Sequence, residues 1–252
     1  MFTGIGLIAF CCIFGAGLVG FVLGNLLPQA QRGEATQKAV QTTMNVVAIL
    51  SALVLGLLIA SGKTSFDTRS REIEQFAANL TLLDRELAHF GQEAAELRAK
   101  LRSYTARKIA TTWPQDRGLA PVLHDPQAVQ LLDDIEMRLR AASPPSQAQQ
   151  AGGTSALQLV GELKSTSRLL TVQQSARTPR PFLVVVIFWL SMLFVSYAIF
   201  APLNATVIGA MFICAVSVST AVNLTFDMDQ PFSGFIRVSP APMQQALADM
   251  QD

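Results

Sequence analysis

The sequence predicts an all-α membrane protein with four transmembrane helices and a helical cytoplasmic domain inserted between the second and third spans. Half of its 252 residues are hydrophobic, and they are concentrated in four blocks without Asp, Glu, Lys or Arg. The segment between the second and third blocks is charged and has helical periodicity. We therefore expect four regions: spans one and two in 1–62, a cytoplasmic helical domain in 63–180, spans three and four in 181–226, and a cytoplasmic tail in 227–252.

The four blocks are long enough to cross a bilayer as helices. They cover 5–27, 46–60 with a polar lead-in from Thr42, 182–201 and 203–226. A helix rises about 1.5 Å per residue, so roughly 20 residues cross a hydrocarbon core of about 30 Å. The second block is the shortest and spans only with its polar ends included. No Lys or Arg precedes Arg32, so the first block is predicted to be a span rather than a signal peptide.

Basic residues near the span ends predict the orientation. The opposite side carries only Arg32 and Lys38, whereas the flanks of the middle segment carry Lys63, Arg69, Arg71, Arg168, Arg177 and Arg180. The positive-inside rule places the side with more Lys and Arg in the cytoplasm. We therefore expect a multi-pass protein of the inner or plasma membrane with both termini cytoplasmic.

A heptad-like stripe predicts the helices of the middle domain. Apolar or small residues recur at alternating steps of three and four at Ile73, Phe76, Leu80, Leu83, Leu87, Phe90, Ala94, Leu97, Leu101 and Tyr104. Gly91 interrupts the stripe, so one kinked helix and two successive helices both fit. The stripe packs either on a core of the same chain or on a neighbouring subunit.

The rest of the middle domain is also predicted to be helical. Trp113-Pro114 ends the heptad region, and a shorter helix is expected over 126–140. A mobile linker is expected at 143–153, where Pro144, Pro145, Gly152 and Gly153 lie among Gln and Ala. A last helix follows over 154–176.

Catalytic and cofactor signatures do not occur in the sequence. Phosphate-loop, dinucleotide-binding, zinc-protease and acyl-transfer motifs are all missing, and the two histidines have no metal-ligand spacing. The three cysteines fall in apolar spans. We therefore expect no enzyme, no catalytic residue, no metal and no cofactor. The net charge of +1 gives no reason to expect nucleic acid, and membrane lipids are the expected surroundings.

One face of the second span combines apolar and hydroxyl side chains. At steps of three and four it carries Thr43, Val47, Ser51, Val54, Leu58 and Ser61. Repeated around an axis, this face would line a pore, with Lys63, Arg69 and Arg71 at its mouth. The alternative is that the same face packs inside the helix bundle. The first span instead carries Ala16, Gly20 and Gly24, a small-residue face for close helix contact.

Two segments carry a family resemblance. They are LGLLIASGKTSFD at 55–67 and DMDQPFSGFIRVSPAP at 227–242. Together they resemble the prokaryotic bestrophin-like family, and the resemblance covers nearly the whole chain. Its most specific pieces are 63–67 after the second span and 231–234 after the fourth. The positions that match the family motif are Ser65, Phe66, Asp67, Asp229, Pro231, Phe232 and Gly234.

The resemblance implies an ion channel. Bestrophins, to which this family is distantly similar, are four-span pentamers with the second span lining the pore, so a homo-oligomer, expected to be a pentamer, and small permeant ions are implied. Anions are expected, and cations remain open. The bestrophin Ile-Pro-Phe neck and the calcium-clasping acidic run have no counterpart here, so calcium gating does not carry over.

Two other functions compete with the channel. One is a non-conducting scaffold or signalling protein whose heptad helices bind a partner. The other is a membrane enzyme acting on lipid, for which Asn223, Asp227 and Arg237 are the only polar candidates.

Overall fold

The structure, a computed structural model, describes residues 4–28, 33–89, 94–114, 119–141, 147–175, 180–232 and 236–251. It is 87% helical, with no strand in these ranges. The all-α class is confirmed. The helices are α1 (Gly4–Leu26), α2 (Glu34–Ala88), α3 (Ala94–Thr112), α4 (Pro126–Ala141), α5 (Gln147–Ser175), α6 (Arg180–Phe200), α7 (Ala205–Met228) and α8 (Ala241–Asp249).

The four predicted spans are confirmed as helices. Within the described residues, four segments are long and apolar enough to cross a membrane: α1, the first part of α2, Pro181–Phe200 of α6, and α7. Only residues 201–204 separate α6 from α7. Asn204 begins α7 by accepting a hydrogen bond from the backbone N–H of Val207 at 2.9 Å, which caps one of the open donors of the first turn.

The second span and the first helix of the middle domain form one continuous helix. Helix α2 has 55 residues, which corresponds to a length of about 80 Å. Its sequence contains no proline and only Gly56 and Gly62 as helix-weakening residues, so nothing stops it at the expected boundary of 62/63. The chain divides into two compact units, unit 1 (residues 1–65 and 177–229) and unit 2 (residues 66–176 and 230–252), and α2 contributes to both.

In unit 1 the predicted small-residue face of α1 packs closely on α6. A Cβ atom added at Gly20 would lie 2.6 Å from the carbonyl oxygen of Val195, and one at Gly24 would lie 2.6 Å from that of Ile199. These distances are shorter than van der Waals contact, so only glycine lets the two backbones approach this closely. Phe10 and Phe14 of α1 add edge-to-face contacts with Phe212 of α7, at ring-centroid distances of 5.5 and 5.6 Å.

In unit 2 the heptad stripe is buried within its own chain. Its members in the core are Ile73, Phe76, Leu80, Leu83, Leu87, Leu97, Leu101 and Tyr104. Residues of α4, α5 and α8 complete the same core. The interpretation of the stripe as a seam between subunits, or as a partner-binding surface of a scaffold, is therefore wrong. The stripe lies on two successive helices rather than one kinked helix, because α2 ends at Ala88 and α3 begins at Ala94. Phe90 and Gly91 lie outside the described residues.

Polar side chains join the helices of unit 2 around this core. The guanidinium of Arg98 on α3 donates two hydrogen bonds, of 2.8 and 2.7 Å, to the buried carboxylate of Asp84 on α2. The amide of Asn79 on α2 donates to Glu162 on α5 at 3.1 Å. Bidentate and charge-assisted hydrogen bonds are the stronger ones in proteins, so they fix the register of these helices as well as their contact.

The prediction of a mobile linker over 143–153 is wrong for the second half of that segment. Residues 147–153 lie in α5, and residues 142–146 are outside the described ranges. Ala and Gln favour helix formation enough to outweigh the glycine pair at the packed end of the segment. Gly153 is buried, and a Cβ atom at Gly152 would lie 3.4 Å from Oε2 of Glu86 on α2. An added Cβ atom at Gly152 would thus make only an ordinary van der Waals contact with a flexible side chain.

Candidate pore-forming span

The second span is the least covered of the four within unit 1. Only 11% of the residues in its most apolar window are buried, against 33% in α1, 28% in α6 and 17% in α7. A helix that makes so little contact within its own chain offers most of its surface to lipid or to other copies of the chain.

The face predicted to line a pore is turned into the bundle. Ser51 is 1% exposed and Leu58 is 9% exposed. Leu58 and Val54 belong to a cluster with residues of the other three spans, Ala9, Leu183, Val186 and Val222. A side chain buried inside the protomer does not face a pore between protomers, so the predicted pore-lining role is wrong for Ser51 and Leu58. Val47 is half-buried on the same side, and Thr43 and Ser61 at its two ends are exposed.

The burial of Ser51 has a simple physical reason. Its hydroxyl donates a 2.7 Å hydrogen bond to the carbonyl oxygen of Val47, one turn earlier in α2. A serine that bonds the backbone of its own helix needs no water, so it packs among apolar side chains.

The opposite face of the second span is exposed and apolar. Val46, Ile49, Leu53 and Leu57 lie at steps of three, four and four, and their side chains are 58%, 69%, 59% and 63% exposed. We call these four residues the aliphatic face. No Phe, Tyr or Trp occurs between residues 34 and 65, whereas α1, α6 and α7 all carry aromatic residues. Aromatic side chains are enriched where spans meet the lipid interface, so their absence sets the second span apart from the other three.

The three basic residues predicted at the pore mouth differ in exposure. Lys63 and Arg71 are exposed, whereas Arg69 is only 7% exposed. Nε of Arg71 donates to the backbone carbonyl of Asp67 at 3.3 Å. Lys63 and Arg71 therefore present charge at the surface of α2, and the buried Arg69 does not fit the role predicted for it.

The family-motif residues after the second span contribute to packing. Phe66 is half-buried and packs on the core of unit 2, and Ser65 and Asp67 beside it are also half-buried. After the fourth span, Asp229 caps the end of α7, and its backbone N–H donates to the carbonyl oxygen of Asp227.

The second half of the motif packs beneath Trp113, a residue that the sequence marks only as a helix end. Phe232 is buried, and its ring meets that of Trp113 edge-to-face at 5.7 Å. Nε1 of Trp113 donates a 2.8 Å hydrogen bond to the carbonyl oxygen of Val238. The backbone N–H of Val238 donates a 2.7 Å hydrogen bond to the carbonyl oxygen of Pro231. These bonds fix the segment after α7 to Trp113 within unit 2. Gly234 lies outside the described residues.

Replacing Trp113 by Phe should destabilise the protein moderately. The substitution keeps the ring contact with Phe232 but leaves the carbonyl oxygen of Val238 without its indole donor, which costs about 1–2 kcal/mol. For a chain of this size we expect a melting temperature lower by roughly 4 °C, measured on the purified protein. Trp189→Phe in α6 is the matched control, and an equal loss in both variants would contradict the role given to the Trp113 bond.

Metal-binding clusters do not occur in the described part of the chain. No group of three or more His, Cys, Asp or Glu side chains is placed to hold an ion there, and Cys11, Cys12 and Cys214 are separate exposed thiols. The neighbouring acids Asp133, Asp134 and Glu136 on α4 are engaged by Lys100 of α3 and Lys164 of α5. The Lys100 hydrogen bond lowers the pKa of Asp134, and those of Lys164 and Arg140 lower the pKa of Glu136.

Four apolar helices and a helical unit of charged and apolar side chains define the class of this chain as a helical, multi-span membrane protein. The chain belongs to the bestrophin-like family, because the model of the Bestrophin-like domain matches residues 11–243. A search of the curated proteins gives no match.

Solved structures share the fold. A bacterial bestrophin homologue from Klebsiella pneumoniae is similar with a TM-score of 0.70 and 12% identity, over 98% of this chain and 97% of the other. A structure described as a variant of a membrane protein is similar with a TM-score of 0.72 and 11% identity, again over 98% and 97%. At this identity the likeness establishes the fold alone.

Proposed function

We propose that this chain forms a homo-oligomer, a pentamer, that conducts small ions passively through a pore lined by the second span. The observation that carries the proposal is the exposed aliphatic face of Val46, Ile49, Leu53 and Leu57 on the span least covered within its own chain. Membership of a family related to ion channels supports it, as does the fold shared with a bestrophin homologue over almost the whole chain.

The aliphatic face would act as a narrow apolar constriction. Copies of the face around a common axis would stack rings of Val, Ile and Leu side chains, and such a constriction controls ion passage through its wetting. Thr42 and Asn45 at one end and Ser61 and Lys63 at the other are polar, so water would reach the constriction from both sides. Conduction of this kind needs no catalytic residue, and we propose that the protein is not an enzyme.

The proposed topology follows from the basic residues. Unit 2 and both termini would lie in the cytoplasm, with the protein in the inner membrane, because Lys63 and its basic neighbours flank that side of the spans. The proposed partners of the chain are membrane lipids, further copies of the chain and the permeant ions.

An ion-flux assay tests the proposal. The purified oligomer is reconstituted into liposomes, and efflux is followed separately for chloride, sodium and potassium. We expect efflux of at least one of these ions, at a rate that scales with the amount of protein. A well-folded oligomer that passes none of them above protein-free liposomes would overturn the proposed function.

Lys63 should favour anions at the inner end of the pore. It is exposed on α2 two residues after Ser61, and a ring of ammonium groups there would concentrate anions near the mouth. Lys63→Glu should lower the ratio of chloride to potassium permeability by roughly fivefold, measured as a shift in reversal potential. Lys63→Gln should give about half that shift, and Arg140→Glu on α4 should give none. An unchanged ratio in Lys63→Glu would contradict an ion path past Lys63.

A further inference from the structure

Unit 2 contains a cavity of about 360 Å³ between α3, α4 and α5. Its apolar wall includes Leu123, Ala128, Val129 and Leu132, and its polar wall includes Lys108 and Ser167. Cavities of this size with an apolar lining and a few converging polar groups are typical of small-molecule sites. The cavity lies wholly within unit 2 and takes no part in the proposed ion path.

A buried ammonium group lies at the polar wall. Lys108 is 5% exposed, and its Nζ donates hydrogen bonds to the carbonyl oxygen of Leu123 at 2.5 Å and to Oγ of Ser167 at 3.0 Å. Both acceptors are neutral oxygens. An ammonium has three N–H groups, so these two bonds leave one for a ligand. Burial of a cation is costly unless an opposite charge accompanies it.

The charged groups around Lys108 leave a positive balance. The cavity is lined by Asp125 and His124 before or at the start of α4, by Asp133 on α4, and by Lys164 and Arg168 on α5. The carboxylate of Asp125 is hydrogen-bonded by Arg107, and that of Asp133 lies 2.5 Å from Nζ of Lys164. Both acids therefore already have a cationic partner.

We propose that this cavity binds a small carboxylate with a short hydrocarbon chain. The carboxylate would lie at Lys108 and Arg168, and the chain would lie against Leu123, Val129 and Leu132. The charged groups of the lining, together with Arg107 at Asp125 and Glu136 at Lys164, are four cations and three carboxylates, an excess of one positive charge. That excess matches a singly charged carboxylate better than a phosphate dianion, and the apolar wall favours a ligand with hydrocarbon surface.

The site should respond to pH in the neutral to alkaline range. Burial lowers the pKa of Lys108 to about 8, against the opposing attraction of Asp125. Burial raises the pKa of Tyr104, which lines the same wall, so the phenol stays protonated in this range. Lys108 therefore loses its charge between about pH 7 and about pH 9, and a bound carboxylate should weaken about tenfold over that interval.

Fluorine NMR of the full chain in lipid nanodiscs tests the site. Trifluorobutyrate is the probe, with protein-free nanodiscs as the blank. At about pH 7 we expect saturable line broadening that unlabelled butyrate reverses and that trifluorobutanol and inorganic phosphate do not. Lys108→Met should weaken binding at least about tenfold, as expected for loss of a charged hydrogen bond. Lys38→Met, outside unit 2, should leave it unchanged.

Several results would overturn the carboxylate site. They are no saturable binding to the unmodified protein, equal binding of the alcohol, stronger binding of phosphate, or unchanged binding in a folded Lys108→Met variant. The pH titration of the unmodified protein gives an independent test should that variant not fold, because an affinity that is the same at both pH values contradicts a role for Lys108.

Discussion

Leu53→Ser should raise passive ion flux about tenfold in liposomes, which corresponds to a barrier lowered by about 1.4 kcal/mol. Leu53 is near the middle of the second span, on the aliphatic face, and 59% exposed within the chain. In the proposed pore its side chain forms one of the apolar rings. A smaller hydroxyl side chain widens the ring and lets water enter, so ions cross with less loss of hydration.

Two variants distinguish this effect from general damage to the bundle. Leu18→Ser changes a residue of α1 that is 44% exposed at a similar depth in its span, and it should leave flux unchanged. Ser51→Leu fills the buried side of α2 and should lower stability rather than alter the ions that pass. Equal flux in Leu53→Ser and Leu18→Ser would contradict a pore along the aliphatic face.

Gly20→Leu should be the most destabilising single substitution proposed. A Cβ atom added at Gly20 would lie 2.6 Å from the carbonyl oxygen of Val195 and 2.7 Å from Cβ of Ala198. A leucine there forces α1 and α6 apart at the point where their backbones come closest to Gly20. We expect a loss of about 3 kcal/mol, seen as a melting temperature lower by roughly 10 °C in detergent.

Gly15→Leu provides the matched control on the same helix. No atom lies within 4 Å of an added Cβ at Gly15, so the same new side chain enters open space. It should change the melting temperature by less than about 2 °C. A Gly20→Leu variant as stable as Gly15→Leu would show that the close approach of α1 and α6 is not needed for folding.

The spans were predictable because their signal is local. A block of about 20 residues without charge has few options besides a transmembrane helix. The contact face of α1 was predictable for a related reason, since Gly20 and Gly24 repeat at helical spacing and carry little side chain of their own. Small residues on one face indicate where a backbone comes close.

The orientation of α2 about its axis was not predictable in the same way. Spacing shows that Ser51, Val54 and Leu58 share a face, but both faces of the second span are apolar. Ser51 led to the prediction that this face is in contact with water. Its hydroxyl instead donates a hydrogen bond to the carbonyl oxygen of Val47 inside the bundle. A hydroxyl that can bond its own helix says little about which side faces water.

Unit 2 depends on contacts between distant segments. The stripe from Ile73 to Tyr104 predicted an apolar face but not which surface covers it, and the core is completed by residues as far along the chain as Met243 and Met250. The hydrogen bond between Trp113 and Val238 joins segments separated by 125 positions. Pairings of this kind leave no periodic pattern in the sequence, so the short helix α8 and its contact with α3 were not predicted.

A map of the assembled protein in lipid nanodiscs is the most direct measurement. We expect several copies around one axis, with α2 the closest helix to that axis and the side chains of Ile49, Leu53 and Leu57 directed toward it. A particle containing one copy, or a ring in which α6 or α7 lies at the centre while Leu53 contacts lipid, would contradict the proposed pore.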